Sequence, residues 1–147
     1  MAITEILLAC LFSFTCTIGF GICFGIRKEE LVWAGLAGVV TRIVLIICES
    51  LLFNRLFYTM VAALVGTLYA ELVGMHKKVS IAKFLYPALV LLIPGDVLYE
   101  MIMAMIQLDQ PAMMHHVVIL AQALLGIALG SMIGPMLFRS YRREHRI

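Results

Sequence analysis

Five long apolar stretches follow one another through almost the whole of this 147-residue chain, with only short polar links between them. A helix needs about 20 apolar residues to cross a hydrocarbon core of about 30 Å. Backbone groups inside lipid must be hydrogen-bonded within the chain, so such stretches fold as helices. We predict an all-α polytopic membrane protein, a single transmembrane domain over 1–147, with spans at about 3–26, 31–53, 57–75, 81–107 and 111–138 and a basic cytoplasmic tail at 139–147.

The composition excludes several other classes of protein. The chain is 63% hydrophobic and 14% charged, whereas a soluble domain is about 45–50% apolar and about 25% charged. A chain of this length buries only about 70% of the surface it exposes when unfolded, so a soluble enzyme, a disordered tail and a secreted disulfide scaffold are excluded. The net charge of +2 is too small for nucleic-acid binding. The lipid bilayer is the predicted partner of the apolar surface.

The basic residues predict the orientation of the spans. With five crossings, one side of the membrane carries nine basic residues and the other carries only Arg55. Cytoplasmic loops are enriched in Lys and Arg, so we expect the N-terminus outside and the C-terminus inside, in the cytoplasmic membrane of the cell. The nine are Arg27, Lys28, Lys77, Lys78, Lys83, Arg139, Arg142, Arg143 and Arg146.

Small residues recur along the spans and predict where helices pack. Hydrophobicity does not drive helix association within lipid, so close approach of backbones at Gly and Ala becomes important. The simplest interpretation is that these faces pack the five helices against one another. Taken together they also suggest a partner or a higher oligomer. The glycines assigned to packing are Gly38, Gly66, Gly126, Gly130 and Gly134.

Five ionisable residues lie within the predicted spans: Arg42, Glu49, Glu71, Asp96 and Glu100. Each costs about 2.5–3.5 kcal/mol to insert, which suggests a function. Arg42 and Glu49 are seven residues apart and share one helical face. Two interpretations stay open: an interhelical ion pair of Arg42 with Glu71 or Glu49, or a direct role of these residues in transport and proton coupling.

The fourth predicted span is interrupted by Pro87 and by Pro94-Gly95. A proline removes a helical hydrogen bond, and Asp96 is placed where an N-cap would begin a second half-helix, with Glu100 one turn later. Secondary transporters build substrate sites at such broken helices. The sequence therefore favours a substrate site here, and a plain proline kink is the alternative.

Metal and cofactor chemistry is not predicted. His115 and His116 follow Asp109, but adjacent helical residues point about 100° apart, so we interpret the histidines as interfacial or pH-sensitive. The sequence contains no glycine-rich phosphate loop, zincin motif or serine-nucleophile elbow. We expect a protein that is not an enzyme and has no cofactor, with an intramembrane metalloenzyme using Glu71, Asp96 and the histidines as the alternative.

Four segments give the chain a family resemblance. It resembles the small subunit of the split threonine/serine exporter family, and the likeness extends over nearly the whole chain. Its most specific element is the Pro94-Gly95 pair followed by Tyr99. The segments are GFGICFGI, LVWAGLAG, AALVGTLYAEL and LIPGDVLY.

The resemblance implies proton-driven export of small hydroxylated amino acids, and some members are associated with dicarboxylates such as succinate. It also implies a larger partner subunit with five similar spans and a cytoplasmic domain. Two halves of five spans insert with opposite orientation, so the substrate site would lie at the interface of an inverted repeat. The resemblance carries over Pro94, Gly95 and Tyr99 as site residues, and Gly38 and Gly66 as packing positions.

The functional prediction is a subunit of an exporter driven by the proton-motive force, with threonine or serine as the first substrates. Backbone amides near Asp96 are expected to face a substrate carboxylate, which requires Asp96 or Glu100 to be protonated when an anion is bound. The alternatives are export of a dicarboxylate such as succinate, or a channel or accessory scaffold without its own transport site. The predicted substrate-binding set is Pro94, Gly95, Asp96, Tyr99 and Glu100.

Overall fold

The structure is a computed structural model that describes residues 3–51 and 54–144, with side chains described for 4–51 and 54–140. This part of the chain forms six helices and no strand. Their bounds are α1 Ile3–Cys23, α2 Lys28–Leu51, α3 Arg55–Lys77, α4 Ala82–Val90, α5 Gly95–Ile106 and α6 Gln110–Glu144.

Four helices are long and apolar enough to cross a membrane, and α4 and α5, bent by 45° at their break, make a candidate fifth span when they are taken together. The predicted all-α polytopic fold with a broken fourth span is confirmed. The helix that contains the fifth predicted span continues to Glu144, so the basic segment after 138 begins as helix. The predicted end of the second span at residue 53 and the tail residue Arg146 lie outside the described residues.

The most extensive helix contact joins α3 and α6, and it depends on the glycines of α6. Gly126, Gly130 and Gly134 are all buried against α3. A Cβ added at Gly130 would lie 2.8 Å from the Ala63 Cβ, and one added at Gly134 would lie 2.7 Å from the Thr67 Cγ2. Larger side chains would force the two backbones apart, so the small residues set this helix spacing.

Gly38 and Gly66 make the other close contacts between helices. A Cβ at Gly38 would fall on the Thr17 hydroxyl of α1, and one at Gly66 would lie 2.6 Å from the Thr41 Oγ1 of α2. Both threonine hydroxyls donate to the carbonyl four residues earlier, at 2.6 and 2.8 Å, so neither of these two hydroxyls is left unpaired. Helices of the same chain occupy these glycine faces, and the faces therefore give no independent sign of a partner.

The break between α4 and α5 corrects two expectations about this span. Pro87 does not interrupt the helix: it lies buried inside α4, where one hydrogen bond is lost and the helix continues. Asp96 is not the N-cap of α5. Pro94 is the cap, with φ −77° and ψ 83°, and its carbonyl accepts the first helical bond from the Leu98 amide at 3.1 Å. Pro94 has a fixed φ and no N–H, which places the break between the two helices at the proline itself.

The two halves of the broken span pack in different places. Leu92, at the break, is buried against Ala62 and Ala63 of α3, and α4 contacts α1, α2 and α3, whereas α5 packs mainly against α6. The break therefore lies beside the first half of α3, which begins at Arg55. In the predicted orientation this is the outer half of the bundle.

A helical hairpin of α5 and the first half of α6 extends past the start of α3. Gly126 lies beside the first turns of α3, so the part of α6 before it continues about 24 Å beyond that level. The Asp109 Oδ1 caps α6 by accepting from the Ala112 amide at 3.1 Å. We call residues 95–125 the arm.

Candidate functional site

A cavity of about 420 Å³ lies where the broken span meets α2 and α3, and it is partly open to the outside of the bundle. Four of its lining side chains are charged, two of each sign. The lining residues are Arg42, Leu45, Glu49, Arg55, Tyr58, Thr59, Leu91, Leu92, Ile93, Pro94, Gly95 and Asp96.

Arg42 and Glu49 reach the cavity from one face of α2, two turns apart. Arg42 makes no hydrogen bond or ion pair within the described part of the chain. The ion pair with Glu71 or Glu49, which the sequence left open, is thus not formed there. Glu71 is buried near the opposite end of α3, beside a depression that Lys78 and Phe138 also line.

Arg55 and Asp96 form the ion pair of the cavity, with 3.5 Å between Nη2 and Oδ2. The Arg55 side chain is 25% exposed and that of Asp96 is 71% exposed. The Arg55 Nε is buried and has no hydrogen-bond partner among the described residues. This guanidinium is therefore only partly satisfied and has capacity for a further acceptor.

Sequence reasoning placed Arg55 in an outer loop and missed its role in the cavity. The sequence feature that could have placed Arg55 at the start of a helix is Asn54. Its Oδ1 accepts a hydrogen bond from the Leu56 amide at 3.0 Å and so caps α3. A helix that begins at Arg55 places Tyr58 and Thr59 on the same face, and both line the cavity.

Only part of the predicted substrate-binding set meets at this cavity. Pro94, Gly95 and Asp96 line it, while Tyr99 and Glu100 do not. The Tyr99 side chain is 64% exposed on the arm, and α5 turns away from the cavity to follow α6.

Glu100 instead faces α6, where its Oε2 lies 3.4 Å from the His116 Nδ1. That nitrogen is buried and has no partner with hydrogen-bond geometry in the described structure. The neighbouring His115 ring packs edge-on at 5.5 Å between centroids. The two acids one turn apart on α5 therefore face different helices, Asp96 towards α3 and Glu100 towards α6.

The chemistry of the cavity is that of a site for a small charged or zwitterionic molecule. Two guanidinium groups and two carboxylates surround a space that Gly95 leaves open, since a Cβ there would meet nothing within 4 Å. Ligand sites typically enclose about 300–1,000 Å³. Within the described residues, no group of three or more His, Cys, Asp or Glu side chains is placed to hold a metal ion.

Comparison with models of protein families gives a match over most of the chain. Residues 9–137 match the protein-family model described as "Threonine/Serine exporter, ThrE". The matched segment contains the residues that line the cavity and parts of all six helices. No curated protein and no solved structure matches the chain.

Proposed function

The chain belongs to the threonine/serine exporter family, and from this premise we propose that it is a subunit of an exporter that moves threonine or serine out of the cell with the proton gradient. Membership makes it a multi-pass membrane protein of exporter type, in a family of transporters and not a class of enzymes. The observation that carries the proposal is the charged cavity at the broken span.

The cavity supports a transport site because charged side chains line it at an interruption of a membrane helix. An ionised side chain within a span costs about 2.5–3.5 kcal/mol, and such groups mark substrate and ion pathways. Irregular backbone at membrane depth is tolerated where it is buried in protein or lines a cavity. Pro94 and Gly95 line this one.

Proton coupling is assigned to Asp96 and Glu100. Asp96 pairs with Arg55 on α3 and Glu100 faces His116 on α6. Protonation of Asp96 removes its charge and weakens its attraction to Arg55, and protonation of Glu100 changes its contact with His116. Proton binding would then loosen α5 from its neighbours, which couples protons to a movement of the half-helix that borders the cavity.

A partner subunit is the next element of the proposal. Asp96 and Glu100 are 71% and 58% exposed, which is unfavourable if lipid covers them. The helix α3 has 23 residues and is about 34 Å long, enough to span a hydrocarbon core of about 30 Å. The arm extends past its start and exposes apolar side chains, among them Leu98, Ile102 and Leu108.

A second membrane half would cover both the acids and the arm. We propose the larger five-span subunit with a cytoplasmic domain, inserted with opposite orientation so that the two halves form an inverted repeat around the substrate site. A higher oligomer of such pairs is compatible with this arrangement. The basic residues support an outside N-terminus and a cytoplasmic C-terminus in the cell membrane.

Two alternatives have their own support. Two cations, Arg42 and Arg55, line the cavity, which favours a dicarboxylate such as succinate as the second candidate substrate. Second, the cavity is partly open within this chain, as it would be in a channel or an accessory subunit that has no site of its own.

The test is to tag this chain, purify it from its native membranes with whatever remains bound, and reconstitute it in liposomes. Saturable counterflow of labelled threonine that follows an imposed proton gradient is the expected result. Counterflow of succinate alone would select the dicarboxylate alternative, and flux that does not saturate would select the channel. A preparation that contains no second membrane protein would overturn the partner proposal.

A further inference from the structure

We propose that Arg42 and Glu49 bind the two charged ends of a zwitterionic substrate, Arg42 its carboxylate and Glu49 its ammonium group. This inference rests on the proposed function and assigns the charged groups of that same cavity. The sequence led us to expect that backbone amides at the start of α5 bind the substrate carboxylate. The proposal assigns this role to the Arg42 side chain of α2 instead.

The first argument is that Arg42 is a cation with no anionic partner among the residues that the structure describes. It lies inside the span α2 and makes no ion pair in the described structure. A charge held within a membrane bundle is ordinarily paired or faces a water-filled cavity. A bound carboxylate would supply the anionic partner of Arg42, since a guanidinium binds carboxylates through two parallel hydrogen bonds.

The second argument is access. Arg42 lines the cavity at the broken span and also a second cavity of about 290 Å³, which α1 lines with Ser13 and Cys16. Leu91, at the end of α4, borders both spaces. Arg42 therefore borders open space on two sides, which suits a substrate-binding residue in a transport path.

The N-terminus of α5 is a poorer carboxylate site than Arg42. The positive end of a helix dipole favours an anion, but Asp96 already places a carboxylate in the first turn of α5. A substrate carboxylate there would meet a like charge. Arg55 is engaged with the same Asp96 at 3.5 Å, whereas Arg42, which also lines the cavity, has no ion pair with any described residue.

Glu49 supplies the opposite charge at a suitable spacing. It lies two turns after Arg42 on the same face of α2, about 10 Å away along the helix axis, and it lines the same cavity. No basic group of the described chain lies within ion-pair distance of it. A spacing of about 10 Å along the helix leaves room between the two side chains for a small molecule that carries both charges.

The arrangement predicts selectivity by charge and not by size. Threonine and succinate contain the same number of non-hydrogen atoms, so a cavity of about 420 Å³ accepts either. Succinate would place its second carboxylate near Glu49, whereas threonine places an ammonium group there. The preferred substrate class is therefore a small amino acid.

The experiment uses the complex purified from native membranes and measures how unlabelled compounds compete with counterflow of labelled threonine. Competitors are threonine, threoninol, which lacks the carboxylate, and succinate, which lacks the ammonium group. Arg42→Gln should reduce the preference for threonine over threoninol at least about tenfold, and Glu49→Gln should reduce the preference for threonine over succinate by a similar factor.

Arg42→Lys is a second variant, for the case in which Arg42→Gln does not assemble into the complex, because it keeps the positive charge. It should retain part of the preference for threonine over threoninol, because a lysine lacks the guanidinium fork. Arg27→Gln and Glu29→Gln are the matched controls, since they remove the same charges from exposed positions outside the cavity and should leave both preferences unchanged.

The inference is overturned if both Arg42 variants keep the wild-type preference for threonine over threoninol, or if Glu49→Gln keeps the preference for threonine over succinate. Failure of the proposed function gives a different result. In that case the wild-type complex itself shows no counterflow of threonine.

Discussion

Arg55 and Asp96 join the first turn of α3 to the first turn of α5, with 3.5 Å between the Nη2 and the Oδ2. The two residues are 41 positions apart in the sequence and meet at the mouth of the cavity. Since α5 otherwise packs mainly against α6, this ion pair is a contact by which the second half of the broken span is held to the bundle. It links the position of α5 to the charge state of one acid.

Exchanging the two charges tests this link. Asp96→Arg alone places two cations together and should lower transport about fivefold or more, because about 1 kcal/mol corresponds to such a factor. Arg55→Asp combined with Asp96→Arg restores an attractive pair and should recover part of the activity. The free energy of unfolding in detergent should change by less than about 1 kcal/mol, because Asp96 is largely exposed. A double variant no better than the single one would contradict a direct interaction.

The two acids of α5 should carry the dependence of export on pH. Asp96→Asn together with Glu100→Gln removes both ionisable groups that face α3 and α6, so export measured across a series of external pH values should become nearly constant. Glu29→Gln, at an exposed position on the first turn of α2, is the control. An unchanged pH profile in the double variant would remove both acids from the coupling mechanism.

The contact between α3 and α6 should be sensitive to single methyl groups. Gly130→Ala places a Cβ 2.8 Å from the Ala63 Cβ and should destabilise the protein by about 1–3 kcal/mol through overpacking. Gly19→Ala makes the same change in α1 at a position with nothing within 4 Å, and it should be neutral or slightly stabilising. Thermal unfolding in detergent compares the two. Equal melting temperatures would show that the helices can separate without cost.

The arm should be the element that binds the partner subunit. Ile102→Asp introduces a charge on an exposed apolar position of α5 and should reduce the amount of partner that copurifies with the tagged chain. Leu7→Asp, on an exposed face of α1, is the control. Measured on the protein that inserts in the membrane, it should leave the recovered amount of partner unchanged. If the normal amount of partner copurifies with both variants, the interface lies elsewhere.

The sequence predicted the helices better than their ends. The break in the fourth span was predicted at Pro94-Gly95 and is found there, because proline fixes φ and lacks an N–H whatever surrounds it. Pro87 was given the same effect and instead lies within α4. The difference comes from packing: Pro87 is fully buried, and neighbouring helices hold α4 together across the lost hydrogen bond.

The partners of the charged residues were much harder to predict. Arg42, Glu49 and Asp96 were identified as unusual by their position in apolar stretches, and all three line one cavity. Arg55 was not identified, because its position near a predicted span end made it resemble an ordinary loop cation. Which charges meet depends on how far one helix is shifted along another, and the 3.6-residue period of a single helix contains no information about that shift.

By itself the sequence determined that this is a helical membrane protein with an interrupted fourth span, because hydrophobicity, proline and glycine act locally. Only the tertiary structure decided that Asp96 meets Arg55, that Glu100 faces His116 on α6, and that Arg42 has no ionic partner among the described residues. These relationships depend on the register of the helices. That register is set by contacts such as those of Gly126 and Gly130 with α3, which bring together residues far apart in the chain.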